Sequence, residues 1–124
     1  MSKVFVFFAM IFCHIVDDYY LQGWLASAKQ KEWWEKNAPQ RLYQYDYIMA
    51  LIMHGLSWSF LMMLPVVLYY RFDVSTGFLV LFVSNTLTHC IVDNEKANRK
   101  SINLIIDQIC HMLQIIVTWL VLVL

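Results

Sequence analysis

Histidine and aspartate side chains recur four residues apart in the hydrophobic parts of this chain. The pairs are His14–Asp18, His89–Asp93 and Asp107–His111. A fourth histidine, His54, stands alone in its hydrophobic segment. Because residues four apart lie on the same face of an α-helix, each pair predicts a single polar stripe on an otherwise apolar helix.

The combination of imidazole and carboxylate groups indicates metal chemistry. These groups suit Zn²⁺, Mn²⁺ or Fe, and bare carboxylates in apolar surroundings are strongly unfavourable without a counter-charge. We expect one or two divalent ions, with Zn²⁺ favoured. The predicted metal ligands are His14, Asp18, His54, His89, Asp93, Asp107 and His111. Seven ligands exceed the four of one tetrahedral zinc ion, so either some orient the others or two ions bind. A metal-free polar network or proton relay is the alternative.

One further aspartate, Asp17, competes for a place in this set. It lies three residues after His14 and could replace Asp18. We prefer Asp18 because Gln22, four residues further on, continues its helix face. A second group of polar side chains is expected to orient the ligands. Its members are Gln22, Asn85 and Gln108.

Three residues are predicted to act in catalysis, namely Asp93, Asp107 and Lys96. A carboxylate beside a metal ion can serve as a general base. Lys96 lies three residues after Asp93 and could hold a substrate anion such as phosphate. The alternative for Lys96 is a lysine that extends its ammonium group to the membrane surface.

The elements that must position these residues are membrane-spanning helices. Of the 124 residues, 60 % are hydrophobic, against roughly 45–50 % in soluble domains. The net charge is zero, so a nucleic-acid partner is not expected. A helix needs about 20 mainly apolar residues to cross a bilayer. The predicted spans of this single domain, residues 1–124, are about 4–24, 47–70, 75–95 and 102–124.

The first span is the least regular of the four. Its apolar run covers only residues 4–16, so it crosses the bilayer only if the helix continues through Asp17 and Asp18 with these aspartates facing inward. A cleavable signal peptide is the alternative for this segment. The predicted fold class is therefore all-α, a bundle of four transmembrane helices.

Lysine and arginine residues predict the orientation in the inner (plasma) membrane. Seven of the nine lie in the loops after the first and third spans. Because cytoplasmic loops carry an excess of these residues, we expect both loops in the cytoplasm and both termini outside. In the first loop, residues 26–37 include Trp33 and Trp34 and predict an interfacial helix on the membrane surface, with a solvated linker as the alternative.

The depth of the polar residues in their spans predicts that they meet. At about 1.5 Å per residue, the four histidines of an up-and-down bundle lie within roughly one helical turn of one level. By the same rise, Asp18, Asp93 and Asp107 lie about 6 Å nearer the cytoplasm. We therefore expect a histidine layer with an aspartate layer beneath it.

The ordered set of motifs resembles a family of small bacterial and phage membrane proteins of unknown function. The motifs are His14-x3-Asp18-x3-Gln22, Lys29, His54, His89-x3-Asp93-x2-Lys96-x-Asn98 and Asn103-Leu104-x2-Asp107-Gln108-x2-His111. The resemblance spans nearly the whole chain and implies no settled activity. By chemistry rather than alignment, the set is also similar to the ceramidase and adiponectin-receptor group of membrane hydrolases. Those proteins hold zinc with transmembrane His and Asp ligands, but in seven spans instead of four.

These features predict a membrane-embedded metal-dependent hydrolase that acts on a lipid-like or phosphate-bearing substrate from the cytoplasmic side. The metal would activate water and polarise a carbonyl or phosphoryl oxygen. Two other classes stay open. One is a metal-ion or proton transporter or channel, for which a homo-oligomer would give room for a pore. The other is a non-enzymatic, phage-type membrane interaction protein.

Overall fold

The structure is a computed structural model that describes residues 1–124, and every regular element in it is helical. Its α-helices are α1 (Lys3–Val16), α2 (Leu25–Ala28), α3 (Lys31–Asn37), α4 (Asp46–Tyr69), α5 (Thr76–Asn94) and α6 (Leu104–Leu122). The segments long and apolar enough to cross a membrane are Lys3–Leu21, Arg41–Tyr69, Thr76–Arg99 and Leu104–Leu122. The predicted all-α fold with four such helices is confirmed.

Side-chain caps set the start of three of the long helices. The capping residues are Ser2 for α1, Ser75 for α5 and Asn103 for α6. Each side-chain oxygen accepts a hydrogen bond from the backbone N–H three residues further on, at 3.2, 3.2 and 3.0 Å respectively. Such a cap satisfies one of the N–H groups that a helix leaves without an internal partner.

Two of the long helices continue beyond their α-helical part. A π-helical turn over Asp17–Leu21 extends α1, and another over Glu95–Arg99 extends α5. π-Helical turns are rare and occur frequently at functional sites. Both turns lie next to predicted ligand residues, and neither was anticipated, because a π turn leaves no distinct pattern in the sequence.

The four long helices form a closed ring in which α1 and α5 each pack against α4 and α6. At one end of the ring, the ammonium group of Lys3 donates to the carbonyl of Leu124. At the other end, the backbone N–H of Lys31 donates to the side chain of Asn98. We call the first of these the termini end, which comprises residues 1–5, 70–75 and 120–124. The second is the loop end, which comprises residues 22–45 and 100–103.

The half of the bundle near the termini end is filled by apolar side chains. The buried members of this core are Val6, Met10, Trp58, Met62, Met63, Val66, Ile115 and Val123. On the outside, many large apolar side chains are exposed, as expected of helices that face lipid. Because lipid tails are as apolar as these side chains, packing rather than the hydrophobic effect holds such helices together.

The closest approach between helices is at Gly55 on α4. A Cβ atom at this position would lie 2.5 Å from Sγ of Cys90 and 3.1 Å from the carbonyl oxygen of Thr86, both on α5. Both distances are too short for ordinary contact, so a larger residue would push the helices apart. The interface between α4 and α5 is therefore tightly closed at this level.

The first loop differs from its prediction. Residues 26–37 do not form one interfacial helix, because the chain is extended at Gln30, between α2 and α3. The indole of Trp34 donates to the carbonyl of Ala28 and holds the two short helices together. The interruption lets Lys29 turn into the bundle, where it is buried. A helix-forming composition does not reveal a break that is stabilised by a distant partner.

Candidate metal centre

All four histidines are buried in the half of the bundle near the loop end, and each comes from a different long helix. The His89 ring stacks on His111, with centroids 4.2 Å apart, and lies 4.9 Å from the His54 ring. The ring of His14 is 5.6 Å from that of His111. The structure therefore brings the four imidazoles together.

Asp18 and Asp93 lie among three of these imidazoles. Nε2 of His54 is 3.3 Å from an oxygen of Asp18 and 3.4 Å from an oxygen of Asp93. Nε2 of His89 is 3.7 Å from that same Asp93 oxygen, and Nε2 of His111 is 3.6 Å from the other one. Two ligands about 2.1 Å from a tetrahedral ion are about 3.4 Å apart, so the observed separations suit a shared ion.

Two overlapping groups have ligand atoms close enough to hold an ion. One consists of Asp18, His54 and His89, and the other of His89, Asp93 and His111. His89 is common to both groups. Because one imidazole nitrogen has one lone pair, a single ion is the simplest occupant of the two groups.

Several of these nitrogens have no hydrogen-bond partner within the protein. They are both ring nitrogens of His54, both of His89, and Nε2 of His111. A buried polar atom without a partner costs about 1–3 kcal/mol, and native structures contain few of them. A cation between the imidazoles and the carboxylates would satisfy both kinds of group at once.

The net negative charge of the centre matches the charge of one divalent ion. The buried carboxylates are those of Asp17, Asp18, Asp93 and Asp107. Lys29 donates to Asp93 at 2.7 Å, and Lys96 donates to Asp107 at 2.6 Å. Four negative charges against two positive ones leave two negative charges when the histidines are neutral, which one divalent cation would balance.

His14 has a different environment from the other three histidines. The indole of Trp58 donates to Nδ1 of His14 at 2.8 Å, so Nδ1 is the acceptor and Nε2 carries the proton. Nε2 then donates to the side-chain oxygen of Gln108 at 3.0 Å. Both ring nitrogens are thus engaged in hydrogen bonds, so His14 has no free lone pair for an ion. Its hydrogen bond to Gln108 connects it with the centre.

Asp107 lies beside the centre but belongs to neither group of candidate ligands. One of its oxygens is 3.4 Å from Nε2 of His111 and has no hydrogen-bond partner. The other accepts hydrogen bonds from Lys96 at 2.6 Å and from Gln108 at 3.0 Å. Gln108 therefore connects His14 with Asp107.

The other two predicted orienting residues act less directly. Gln22 donates to the backbone carbonyl of Asp18 at 2.5 Å, not to its carboxylate. Asn85 forms no hydrogen bond with a histidine; instead its side-chain oxygen accepts from Gln114 at 3.2 Å. The side-chain oxygen of Gln114 lies 3.3 Å from Nδ1 of His111. Since the amide of Gln114 donates to Asn85, its oxygen accepts the proton of Nδ1, which leaves Nε2 of His111 as an acceptor.

Gln114 was missed from the sequence, although it lies three residues after His111 on the same face. That spacing is the signal that could have identified it.

The structure also differs from the prediction at Asp17 and Asp18. The sequence offers them as alternatives, whereas the structure buries both. Asp17 accepts from Ser57 at 2.6 Å and has its other oxygen 3.5 Å from Nδ1 of His54. The π-helical turn that begins at Asp17 accompanies this inward position of two consecutive carboxylates.

Lys29 is the second residue that sequence reasoning missed as part of the centre. It was counted among the loop charges that set the membrane orientation. Its buried ion pair with Asp93 spans 64 residues of the chain, and no periodic pattern reports such a contact. Asn98 supports this position, because its amide donates to the backbone carbonyl of Lys29 at 3.0 Å.

A polar cavity of about 200 Å³ adjoins the centre on its loop side. The polar residues that line it are Asp18, Gln22, Lys29, Asp93, Lys96 and Gln108. The side chain of Lys96 is 30 % exposed, whereas that of Asp93 is 2 % exposed. The cavity therefore runs from the surface near Lys96 to the buried carboxylate of Asp93.

Comparison with known proteins gives a family but no activity. The model of a family described as "Protein of unknown function (DUF3307)" matches residues 6–124, in agreement with the predicted resemblance to a family of unknown function. No curated protein and no solved structure matches the chain. Any functional proposal therefore rests on the geometry of the centre.

Proposed function

The chain belongs to the DUF3307 family of proteins of unknown function, and we propose that it is a membrane-embedded, metal-dependent hydrolase. The observation that carries this proposal is the convergence of unpartnered imidazole nitrogens on carboxylate oxygens. Separations of 3.3 to 3.7 Å are longer than good hydrogen bonds and close to the edge of a tetrahedral metal site.

The candidate ligands of the proposed ion form two groups of three, Asp18 with His54 and His89, and His89 with Asp93 and His111. Either group leaves the fourth position of a tetrahedral ion for a water. This set of nitrogen and oxygen donors suits Zn²⁺ first and Mn²⁺ or Fe second. Such an ion lowers the pKa of a bound water and polarises a carbonyl or phosphoryl oxygen of the substrate. One ion is the simplest occupancy, and elemental analysis will distinguish it from two.

The remaining polar residues have roles that follow from their contacts. Asp107 is the proposed general base, because one of its oxygens has no hydrogen-bond partner and lies next to the centre. Lys96 holds the other oxygen of Asp107 and lines the open part of the cavity, where it can bind a substrate anion. With Nε2 of His54 on the ion, its Nδ1 carries the proton, and the oxygen of Asp17 at 3.5 Å is positioned to accept it.

Hydrolysis is favoured over transport because polar access comes from one end only. The cavity lies between the centre and the loop end. Towards the termini end, Met62, Met63 and Ile115 are fully buried in the apolar core. A through-going path for an ion would have to cross this core. With the orientation favoured by the lysine and arginine distribution, the cavity faces the cytoplasm.

The first experiment is elemental analysis of the protein purified in detergent. We expect about one divalent ion per chain, and loss of the ion in the variants His89→Ala and His111→Ala. His14→Gln is the matched control and retains the ion, because both nitrogens of His14 are engaged in hydrogen bonds. Wild-type protein without stoichiometric metal would overturn the proposal.

A second experiment separates hydrolysis from transport. The protein is reconstituted into vesicles, and the flux of metal ions and protons is measured for the wild type and His89→Ala. The hydrolase proposal predicts the same flux for both. A flux that depends on His89 would favour the transporter instead. If replacing His54, His89 and His111 together left the cellular phenotype intact, a non-enzymatic interaction protein would be the better description.

A further inference from the structure

A groove open to the membrane runs between α1 and α6. Its two parts have volumes of about 440 and 580 Å³. The lining of the groove is mainly apolar and includes Ile11, Ile15, Ile109, Met112 and Ile116. His14 also lines it, so the groove reaches the inner side of the helix ring at the level of the histidines.

The groove and the polar cavity share part of their lining. Tyr19 and Gln108 border the cavity and both parts of the groove, and Leu104 borders the cavity and one part. The amide of Gln108 donates to Asp107 at 3.0 Å, so this side chain stands between the groove and the centre. A molecule that lies in the groove can therefore reach the centre past Gln108 and Tyr19.

Two other interfaces between the long helices do not offer this access. The contact at Gly55 closes the interface between α4 and α5 at its level. A second groove, between α5 and α6, is lined by Ser84, Thr88 and Cys110 among others, and it shares no residue with the polar cavity. Of these three interfaces, the one between α1 and α6 joins the cavity.

Size and charge indicate what would occupy this combined space. The polar cavity, at about 200 Å³, is less than half the volume of either part of the apolar groove, so it fits a polar headgroup and the groove fits a chain. The cavity contains the ammonium groups of Lys29 and Lys96. Each donates to one aspartate, and an ammonium group has three N–H donors, so both retain donors for an anion.

We propose that the substrate is a lipid whose headgroup is a terminal phosphate monoester, which enters sideways from the bilayer between α1 and α6. The headgroup binds at Lys29 and Lys96 beside the metal ion, and the chain lies along Ile109 and Met112. This inference rests on the proposed function, because it names the substrate class of the same centre. The apolar groove fits the chain, and the two lysines fit the anionic headgroup.

The test uses phosphatidic acid that carries a photoactivatable group in one acyl chain, incorporated into phosphatidylcholine vesicles with the protein. Diacylglycerol and phosphatidylcholine probes with the same acyl chains serve as controls. We expect the phosphatidic acid probe to label peptides of α6 around Ile109 more strongly than either control. Lys96→Gln weakens this labelling about tenfold through loss of a charge-assisted hydrogen bond, and Lys96→Arg restores it.

The groove itself is tested with a matched pair of variants. Ile109→Trp fills the groove and lowers labelling to background. Ile91→Trp, at the same depth on α5 and equally exposed to lipid, leaves labelling unchanged. The metal content is measured in each variant, and Ile109→Trp is expected to retain the ion, because Ile109 belongs to neither ligand group.

Two results would overturn the inference: equal labelling by all three probes, or labelling insensitive to Ile109→Trp. Displacement of the phosphatidic acid probe by glycerol phosphate at similar concentration would also overturn it, because the ligand would then be a water-soluble phosphate. The metal measurement keeps the two proposals separate. A metal-free protein that binds the lipid as described contradicts only the hydrolase, whereas a metal-loaded protein with no lateral lipid binding contradicts only this inference.

Discussion

The half of the bundle near the loop end buries four aspartates and four histidines, whereas the half near the termini end buries an apolar cluster that includes Met62, Met63, Val66 and Ile115. The same four helices build both halves. On α1 the buried Val6 and Met10 precede His14, whereas every buried residue of α5 is polar. Packing in the apolar half stabilises the bundle. This stabilisation offsets the cost of burying polar groups that have no partner within the protein.

A second contrast lies among the buried polar residues themselves. Asn85, Thr118 and Gln114 form hydrogen bonds with one another or with backbone carbonyls, so their polar atoms are satisfied. The ring nitrogens of His54 and His89 are not. Satisfied polar groups stabilise one helix arrangement, whereas converging unsatisfied ones indicate a ligand. The two kinds of polar residue can therefore be told apart by their partners, not by their burial.

The largest effect is expected from the ion pair that the loop contributes to the polar half. Lys29→Met leaves the buried carboxylate of Asp93 without its counter-charge and should lower the free energy of unfolding by about 3–5 kcal/mol. Titration with denaturing detergent measures this change. Lys31→Met is the matched control, because Lys31 and its partner Glu35 are both exposed, and such pairs contribute about 0–1 kcal/mol.

A double variant tests whether the loss comes from the unpaired charge of Asp93. In the double variant Lys29→Met/Asp93→Asn, part of the loss should be recovered, because one positive and one negative charge are removed together and the net charge of the centre is unchanged. If Lys29→Met were no more destabilising than Lys31→Met, Lys29 would be an ordinary loop lysine. The first loop would then contribute nothing to the stability of the polar half.

A smaller effect is expected at Gln114, which links the hydrogen bonds of Asn85 and Thr118 to His111. Gln114→Leu removes the acceptor of the His111 ring proton and should weaken metal binding about 10–100-fold, the usual range for a residue that orients a metal ligand. Competition with a metal indicator of known affinity measures this change. Thr118→Val, one turn further from the centre, serves as a control and should leave metal affinity unchanged. An equal loss in both variants would mean that the network acts only through general packing.

The smallest effect compares two helix caps at opposite ends. Ser75→Ala and Asn103→Ala each remove a cap and should each cost about 1 kcal/mol of stability. Only Asn103→Ala should also weaken metal binding, because the first turn of α6 carries Asp107 beside the centre. Thermal unfolding and metal titration of both variants provide the measurements. A loss of metal affinity in Ser75→Ala would contradict the independence of the two halves.

Much of the fold follows from local patterns. Long apolar runs identify the four long helices, and the capping residues lie where polar side chains precede these runs. The four-residue spacing puts His89 and Asp93 on one helix face, and both are buried in the structure. These features are predictable because hydropathy and helical periodicity depend on residues within a few turns of one another.

The composition of the centre was less predictable. The metal site itself stays a prediction, and the residues around it illustrate what local patterns omit. The sequence patterns place Lys29 in the first loop and in the motif set of the resemblance but not in the centre, yet it pairs with Asp93 across the bundle. His14 was predicted as a ligand, yet Trp58 and Gln108 engage both of its ring nitrogens. In each case the deciding partner lies on another element.

Residue types and their spacing are enough to predict four long apolar helices with histidines and aspartates on their inner faces. The packing of the helices establishes which imidazole nitrogens have no partner, that Asp17 and Asp18 are both buried, and that a loop lysine pairs with Asp93. Helix periodicity sets the face on which a residue lies. The partner it meets there depends on the rotation of neighbouring helices, on π-helical turns and on contacts between residues far apart in the chain.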